Sequence, residues 1–393
     1  MHNDFLDIAT MLKDELKVIR HHLHRFPELS FQEVETMKFV AEQLTKIGIP
    51  FEKEVAKTGI VALIKGDKDG GCIALRADMD ALPIKEENNI DYKSQHEGLM
   101  HACGHDVHTT CLLGAAKILW NKKSSLSGTV KLIFQPGEEM SPGGASLMIK
   151  AGALENPKPE AILGLHVFPD LPTGSFGFKS GQYMASADEV HITIIGKGGH
   201  AALPQNTIDP IVIAANIIVQ IQQLVSRRSH PLTPTVLSFG HINGGHTTNV
   251  IPDTVTIKGT LRTFDEVWRK EAIFLIKKIV EDSAAIWGAR AVVDIPPGYP
   301  SLYNNEALCS KVESSARQLV GDQNVYDIPM RMTAEDFSFY THEIPGCFFR
   351  LGTNKENKEF LSPVHNSRFD INEDALVYGA AMMAWAAFSY LNP

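Results

Sequence analysis

The chain has 393 residues, 44% hydrophobic and 21% charged, a globular composition too long for one ordinary core and suited to two domains at the usual ~100–200 residues each. A formal net charge of −9 and the lack of any basic run argue against nucleic acid or an anionic membrane surface as a partner. Five scattered cysteines make no disulfide framework and fit a reducing compartment. The N-terminus lacks a basic segment followed by an apolar core, and the longest apolar runs, 208–221 and 375–391, are too short or too polar to span a bilayer. A cytoplasmic protein is the expectation.

Phe5, Ile8, Leu12, Leu16, Ile19 and Leu23 recur at three- and four-residue spacing, which predicts an amphipathic helix over 5–23, ended by Pro27. Ser30 and Glu33 read as a capping box opening a second helix that stops at Gly48. Apolar runs at 60–64 and 72–77 read as strands joined by a hairpin-like turn, and a helix follows from Asp106 to about Trp120, with Asp106 as its possible cap. Strand 129–134, helix 145–151 and strand 161–165 continue the alternation. Strand ends thus deliver Asp78-Met79-Asp80, Glu138-Glu139 and His166. The reading is an α/β fold with a mostly parallel, covered sheet and a site at the carboxyl ends of its strands.

The pattern changes near Gly181. Strand 187–196, helix 209–226, strands 235–242 and 254–263, helix 266–286 and strand 290–295 give the βαββαβ order of a ferredoxin-like unit. Small residues lead into it, and Pro296-Pro-Gly-Tyr-Pro300 leads out as a stiff linker. Helices at 306–319 and 335–340, strand 347–351, a loop carrying His365 and a helix from Glu373 follow. The expected domains are 1–184 with 298–393, interrupted by an inserted 185–297.

Residues 100–108 hold His101, Cys103, His105, Asp106 and His108, a density of imidazole and thiol that points to a transition-metal site rather than a chance polar cluster. Glu138 and Glu139, adjacent at a strand end, face opposite sides of the backbone. One can bind a metal while the other takes a proton from water; alone, they would equally fit an exposed acidic turn. His166 and His365 taken singly read as structural. Together, Cys103, His105, Glu139, His166 and His365 form a set of S, N and O donors able to serve two metals.

Several long motifs, in order, carry a family resemblance over nearly the whole chain: Arg25-Phe-Pro-Glu-Leu-Ser-Phe31, Leu75-Arg-Ala-Asp-Met-Asp-Ala-Leu-Pro83, His101-Ala-Cys-Gly-His-Asp106, Phe134-Gln-Pro-Gly-Glu-Glu139, Gly164-Leu-His166, Gly196-Lys-Gly-Gly-His200 and Asn249-Val-Ile-Pro252. The chain resembles dinuclear metallo-aminohydrolases of the aminoacylase and glutamate carboxypeptidase clan. Its nearest branch holds hippurate hydrolases, indole-acetyl-amino-acid hydrolases and N-acetyl-diaminopimelate deacetylases. The resemblance implies Cys103, His105, Glu139, His166 and His365 as ligands of two divalent ions, Zn²⁺ or Mn²⁺, with Co²⁺ or Ni²⁺ as other choices. It implies Glu138 as general base and then acid. His200, in an inserted lid and dimerisation domain, is implied to polarise the scissile carbonyl, and Asn249 and Arg262 to bind substrate. Arg262 also reads as a solvated strand-end charge.

Where many clan members carry His-x-Asp, this chain has Asp78-Met79-Asp80, and Asp80 is open between orienting a ligand and a structural role. The implied activity is hydrolysis of small N-acyl amino acids by a homodimer or higher homo-oligomer. A dipeptidase or aminopeptidase on the same scaffold, or a non-catalytic metal-binding protein, are the rivals.

Overall fold

The computed structural model describes residues 2–354 and 362–392. The chain divides into two compact units, 1–182 with 303–330 and 336–393, and 183–302 with 331–335. The inserted segment thus extends to 302, and a short return segment, 331–335, joins it.

The first unit is built on an eight-stranded sheet. Its centre is parallel: Lys68–Asp78 lies between Ser127–Gln135 and Ala161–Pro172, and the latter pairs with Gly346–Asn354. These strands are near-continuous runs of Ile, Leu, Val, Ala and Phe, as expected for strands covered on both faces. The helices His105–Asn121 and Ala375–Leu391 are buried along most of their lengths and share one core with the sheet. Register sets the site. Asp78 lies opposite Gln135, Arg76 opposite Gly164, and His166 opposite Arg350. Asp78 and Gln135 therefore end their strands at the carboxyl edge where α/β proteins place ligands, and His166 lies level with them, although its strand runs on to Pro172 rather than stopping at 165.

Several local expectations are corrected. The N-terminal helix is two, His2–Met11 and Lys13–Arg25. Gly59–Lys65 and Lys68–Asp78 do not form a hairpin, because Ser127–Gln135 inserts between them and pairs with both. An additional strand, Phe51–Val55, forms the sheet edge. The helix Val34–Ile47 does end at Gly48 in the left-handed conformation, but the expected box does not cap its start; the Glu28 carboxylate does, accepting the Glu35 and Thr36 amides at 3.2 and 2.8 Å. Ser30 instead gives its hydroxyl to Asp80 at 2.6 Å, and Glu33 reaches distant backbone.

In the second unit four antiparallel strands lie in the order Thr235–Asn243, Thr254–Thr263, Asp188–Ile195, Arg290–Asp294, which is the ferredoxin-like arrangement. Helices Pro210–Gln223 and Glu266–Ile286 share its separate core. Each starts on an aspartate that accepts backbone amides, Asp209 from Ile211 and Val212, Asp265 from Val267 and Trp268. The span 210–228 is long and apolar enough to cross a membrane by length and composition. Its Ile213, Ala214, Ile217, Ile221 and Leu224 are buried in this core instead.

Candidate metal centre

Gly104 sets up the metal-rich stretch. Its φ of +86° is left-handed, and a Cβ there would come within 2.6 Å of Val167. Only glycine lets the chain press on the strand carrying His166 and then begin the helix at His105. Cys103 and His105 are both buried as a result.

Cys103 Sγ lies 3.4 Å from His166 Nε2. The other nitrogen of His166 donates to the Val167 carbonyl at 2.8 Å, which leaves Nε2 with its lone pair facing the thiol. Burial first, then Arg350, hold His166 well below the usual histidine range, so the imidazole is neutral. His105 has Nδ1 on Asp80 at 3.2 Å, while its buried Nε2 has no hydrogen-bond partner among the described residues and lies 4.0 Å from Glu139. His365 Nε2 lies 3.2 Å from Glu139, and its backbone, at φ +63°, is pinned by its amide to the Ala102 carbonyl at 2.7 Å. Donor atoms of Cys103, His105 and His166 lie within 4.8 Å of one another, as do those of Cys103, Glu139 and His365.

These residues fit divalent cations. A buried imidazole nitrogen without a partner among the described residues is grouped with a carboxylate and a thiol, the soft-plus-imidazole donor mix that transition metals take. Protonation balance points the same way. Burial, then the Glu139 charge, push the Cys103 thiol up, and hydrogen bonds to Cys103 and Glu139 raise His365 to about 10. Without a cation the cluster gathers protons; a metal would replace them.

Glu138 and Glu139 sit on a turn held from below. The two oxygens of Asp80 accept the amides of Glu138 and Glu139, each at 3.0 Å. Asp80 therefore orients the His105 ring and the paired glutamates at once. Glu138 is buried, accepts the Asp336 amide at 3.4 Å, and groups with His105 and Glu139 within 4.8 Å.

Other members of the conspicuous stretch have different duties. His108 is bonded at both nitrogens, Nδ1 to Asp78 at 2.6 Å and Nε2 accepting the Val167 amide at 2.9 Å. Asp106 does not cap its helix; it binds Arg20 at 3.1 Å and His24 at 2.8 Å. His101 is buried, neither ring nitrogen has a hydrogen-bond partner among the described residues, and burial lowers it to about 4.

The sequence reading missed the bed of the site. Arg76 donates to Gln135 at 2.9 Å, Asp78 at 2.6 Å and Asp336 at 2.7 Å, and Asp336 also takes Gln135 and the Ala145 amide. An arginine inside an otherwise apolar strand, two residues before a strand-end aspartate, was the available signal.

His200, Asn249 and Arg262 belong to the second unit. His200 and Val250 face each other across a two-stranded ribbon, and the Asn249 carbonyl accepts the Ala201 amide at 3.0 Å. His200 is exposed and takes the Ala202 amide on Nδ1 at 3.0 Å, leaving Nε2 as the proton-bearing nitrogen. Arg262 lies on the strand face opposite Leu261; its guanidinium contacts Thr260 Oγ1 and the Leu261 carbonyl, the latter at 3.2 Å.

Residues 74–388 match peptidase family M20/M25/M40, a span that includes the whole donor set. The chain belongs to the M20 peptidase family. As an M20 protein it is a hydrolase of amide bonds, of a family with dinuclear metal-binding members. It is 43% identical to the N-acetyl-L-cysteine deacetylase of Bacillus subtilis over 93% of this chain and 86% of that one. It is 42% identical to IAA-amino acid hydrolase ILR1-like 2 of Arabidopsis thaliana, over 96% and 86%. Among solved structures, the Bacillus subtilis YXEP protein, described as a dinuclear metal binding peptidase from the M20 family, aligns with a TM-score of 0.82 and 36% identity over 98% and 99%.

Proposed function

We propose that this M20 protein hydrolyses the amide bond of small N-acyl amino acids, with Glu138 as the proton-transfer residue. The observation that carries this reading is the buried Glu138 carboxylate, grouped with His105 and Glu139 beside two donor triads that share Cys103. Cys103, His105, Glu139, His166 and His365 would hold two divalent ions, Zn²⁺ or Mn²⁺ in first place and Co²⁺ or Ni²⁺ as substitutes. When bound, such ions lower the pKa of water and polarise a carbonyl.

Glu138 takes a proton from the attacking water and returns it to the leaving amine. Asp80 keeps the base, and the His105 ring, in place. His200, with Nε2 as donor, is the second unit's contribution to the charge that develops on the acyl oxygen. Arg262 suits the substrate carboxylate as a planar two-pronged donor, with Asn249 beside it in role. The second unit is also the proposed contact between copies in a homodimer or larger homo-oligomer, and the cytoplasm the proposed location.

The deciding experiment is a screen of the metal-reconstituted enzyme. N-acetyl and N-benzoyl amino acids are compared with free dipeptides by kcat/KM. Preference for the acyl amino acids supports the proposal. Preference for dipeptides gives the peptidase reading, favoured by the description of the Bacillus YXEP protein as a peptidase. A Glu138→Gln variant that keeps its metal and its full turnover would overturn the assignment of the base.

A further inference from the structure

The segment from Phe26 to Glu33 has no part in the chemistry above, yet it supplies two of the hydrogen bonds that hold the catalytic turn. Ser30 holds Asp80. Glu33, fully buried, goes further. Its Oε1 accepts the Gly137 amide at 2.8 Å and the Phe31 amide at 2.9 Å, and its Oε2 accepts the Thr58 hydroxyl at 2.6 Å.

Three consecutive amides of the turn therefore point into two buried carboxylates, Gly137 into Glu33, and Glu138 and Glu139 into Asp80. Successive amides turned to one side make a concave anion-binding backbone; here the anions are the protein's own. The contact is close. Gly137 has φ +60°, and a Cβ there would come within 2.5 Å of the Phe31 ring. Phe31 itself has φ +64°. One oxygen of Glu33 thus pins both sides of the Phe31–Gly137 contact. The Pro136–Gly137 peptide that it fixes stands one residue before Glu138.

We propose that Glu33 is a positioning residue for amide hydrolysis, bracing through Gly137 and Phe31 the turn that aims Glu138. The inference rests on Glu138 as the base. All three donors to Glu33 are neutral groups, and burial with the nearby Asp80 charge raises Glu33 to about 7. The turn thus needs an acceptor at this point more than it needs a negative charge. A glutamine can supply that acceptor, and Thr58 can then accept from its amide.

The test uses the full metal-loaded chain and whichever N-acyl amino acid it turns over best. Glu33→Ala is expected to lower kcat about 10- to 100-fold, the scale of a slightly misplaced reacting group, with KM changed by less than about threefold and metal content unaltered. Glu33→Gln is expected within about threefold of wild type. In a Glu138→Asp background, where the base is already misplaced, Glu33→Ala is expected to cost far less than it does alone, because the two residues act through one geometry.

A folded Glu33→Ala enzyme with wild-type kcat overturns the proposal. So does a loss explained wholly by missing metal, a loss in Glu33→Gln equal to that in Glu33→Ala, or the same fold-loss in both backgrounds. If Glu33→Ala has no cooperative melt, Glu33→Asp, one methylene short of Gly137, is read by the same criteria. Full turnover by Glu138→Gln would instead sink the base assignment, which separates that failure from this one.

Discussion

The amide of Val167 donates to Nε2 of His108 at 2.9 Å. With Nδ1 on Asp78, His108 has no lone pair left to offer a metal, although it stands only three residues from His105. The two histidines should therefore separate metal content from stability. His105→Ala is expected to lose bound metal by elemental analysis. His108→Ala should keep it, while losing about 1–3 kcal/mol in denaturant unfolding for each polar group left buried and unpaired. Metal loss in His108→Ala at full stability would contradict the assignment.

Asp80 joins a ligand ring to the turn of the base. Replacing it with alanine frees Nδ1 of His105 and leaves the amides of Glu138 and Glu139 without acceptors. Metal affinity should fall about 10- to 100-fold, the usual effect of removing a partner that orients a ligand. Asp80→Asn should behave nearly as badly, since its amide group turns a donor toward another donor. Competition with a chromophoric chelator measures both.

His24 lies in a buried ionic network. Burial pushes its pKa down, but Asp106 and Glu86 outweigh burial and raise it to about 9. Its contribution to stability is complete below the unfolded pKa of ~6.5 and is lost as pH rises through about 9. The stability advantage of wild type over His24→Gln should therefore shrink between pH 6.5 and 9.5. At ~1.4 kcal/mol per unit, the change is on the order of 3 kcal/mol. A constant difference across that window, measured by urea unfolding of metal-loaded protein, would rule the network out as its source.

Gly144 begins the helix Gly144–Lys150 directly under the catalytic turn. A Cβ there would sit 1.5 Å from the Pro136 carbonyl oxygen. Backbone cannot swing aside as a side chain can, so Gly144→Ala must displace the turn. The expected cost is about 1–3 kcal/mol in unfolding, with a fall in kcat. Lowered stability with unchanged turnover would show that the helix, rather than the turn, gives way; unchanged melting would contradict the prediction.

Patterns that depend on neighbours in sequence were legible. The helix 266–286 and the βαββαβ order of the inserted segment were read from the sequence, and the structure has both. Cys103 and His105 were legible from the density of donors in 100–108, and Glu139 and His166 from their places after apolar strand runs; with His365 they fall in two donor triads that share Cys103. What failed was local pattern with a distant partner. Ser30 and Glu33 have the spacing of a capping box, but their hydrogen bonds go to Asp80 and Gly137. Asp106 has the position of a cap, but Arg20 and His24 take it. The supposed hairpin failed for the same reason, since nothing in residues 59–78 announces that a strand from 127–135 inserts between its arms.

The excursion that builds the second unit closes on itself. Ala187 and Tyr299 exchange both backbone hydrogen bonds, at 2.9 and 3.0 Å, and the Gly298 amide reaches Asp188 at 3.3 Å. Opposed residues of such a pair have Cα atoms about 5.5 Å apart. More than a hundred residues therefore leave and return through a gap that a tight turn would span. Loop-closure entropy grows with the logarithm of loop length, and this clasp meets it from within the inserted segment. A version of the first unit in which a short turn replaces residues 188–298 becomes a reasonable object to build, and a direct way to ask what the metal centre does by itself.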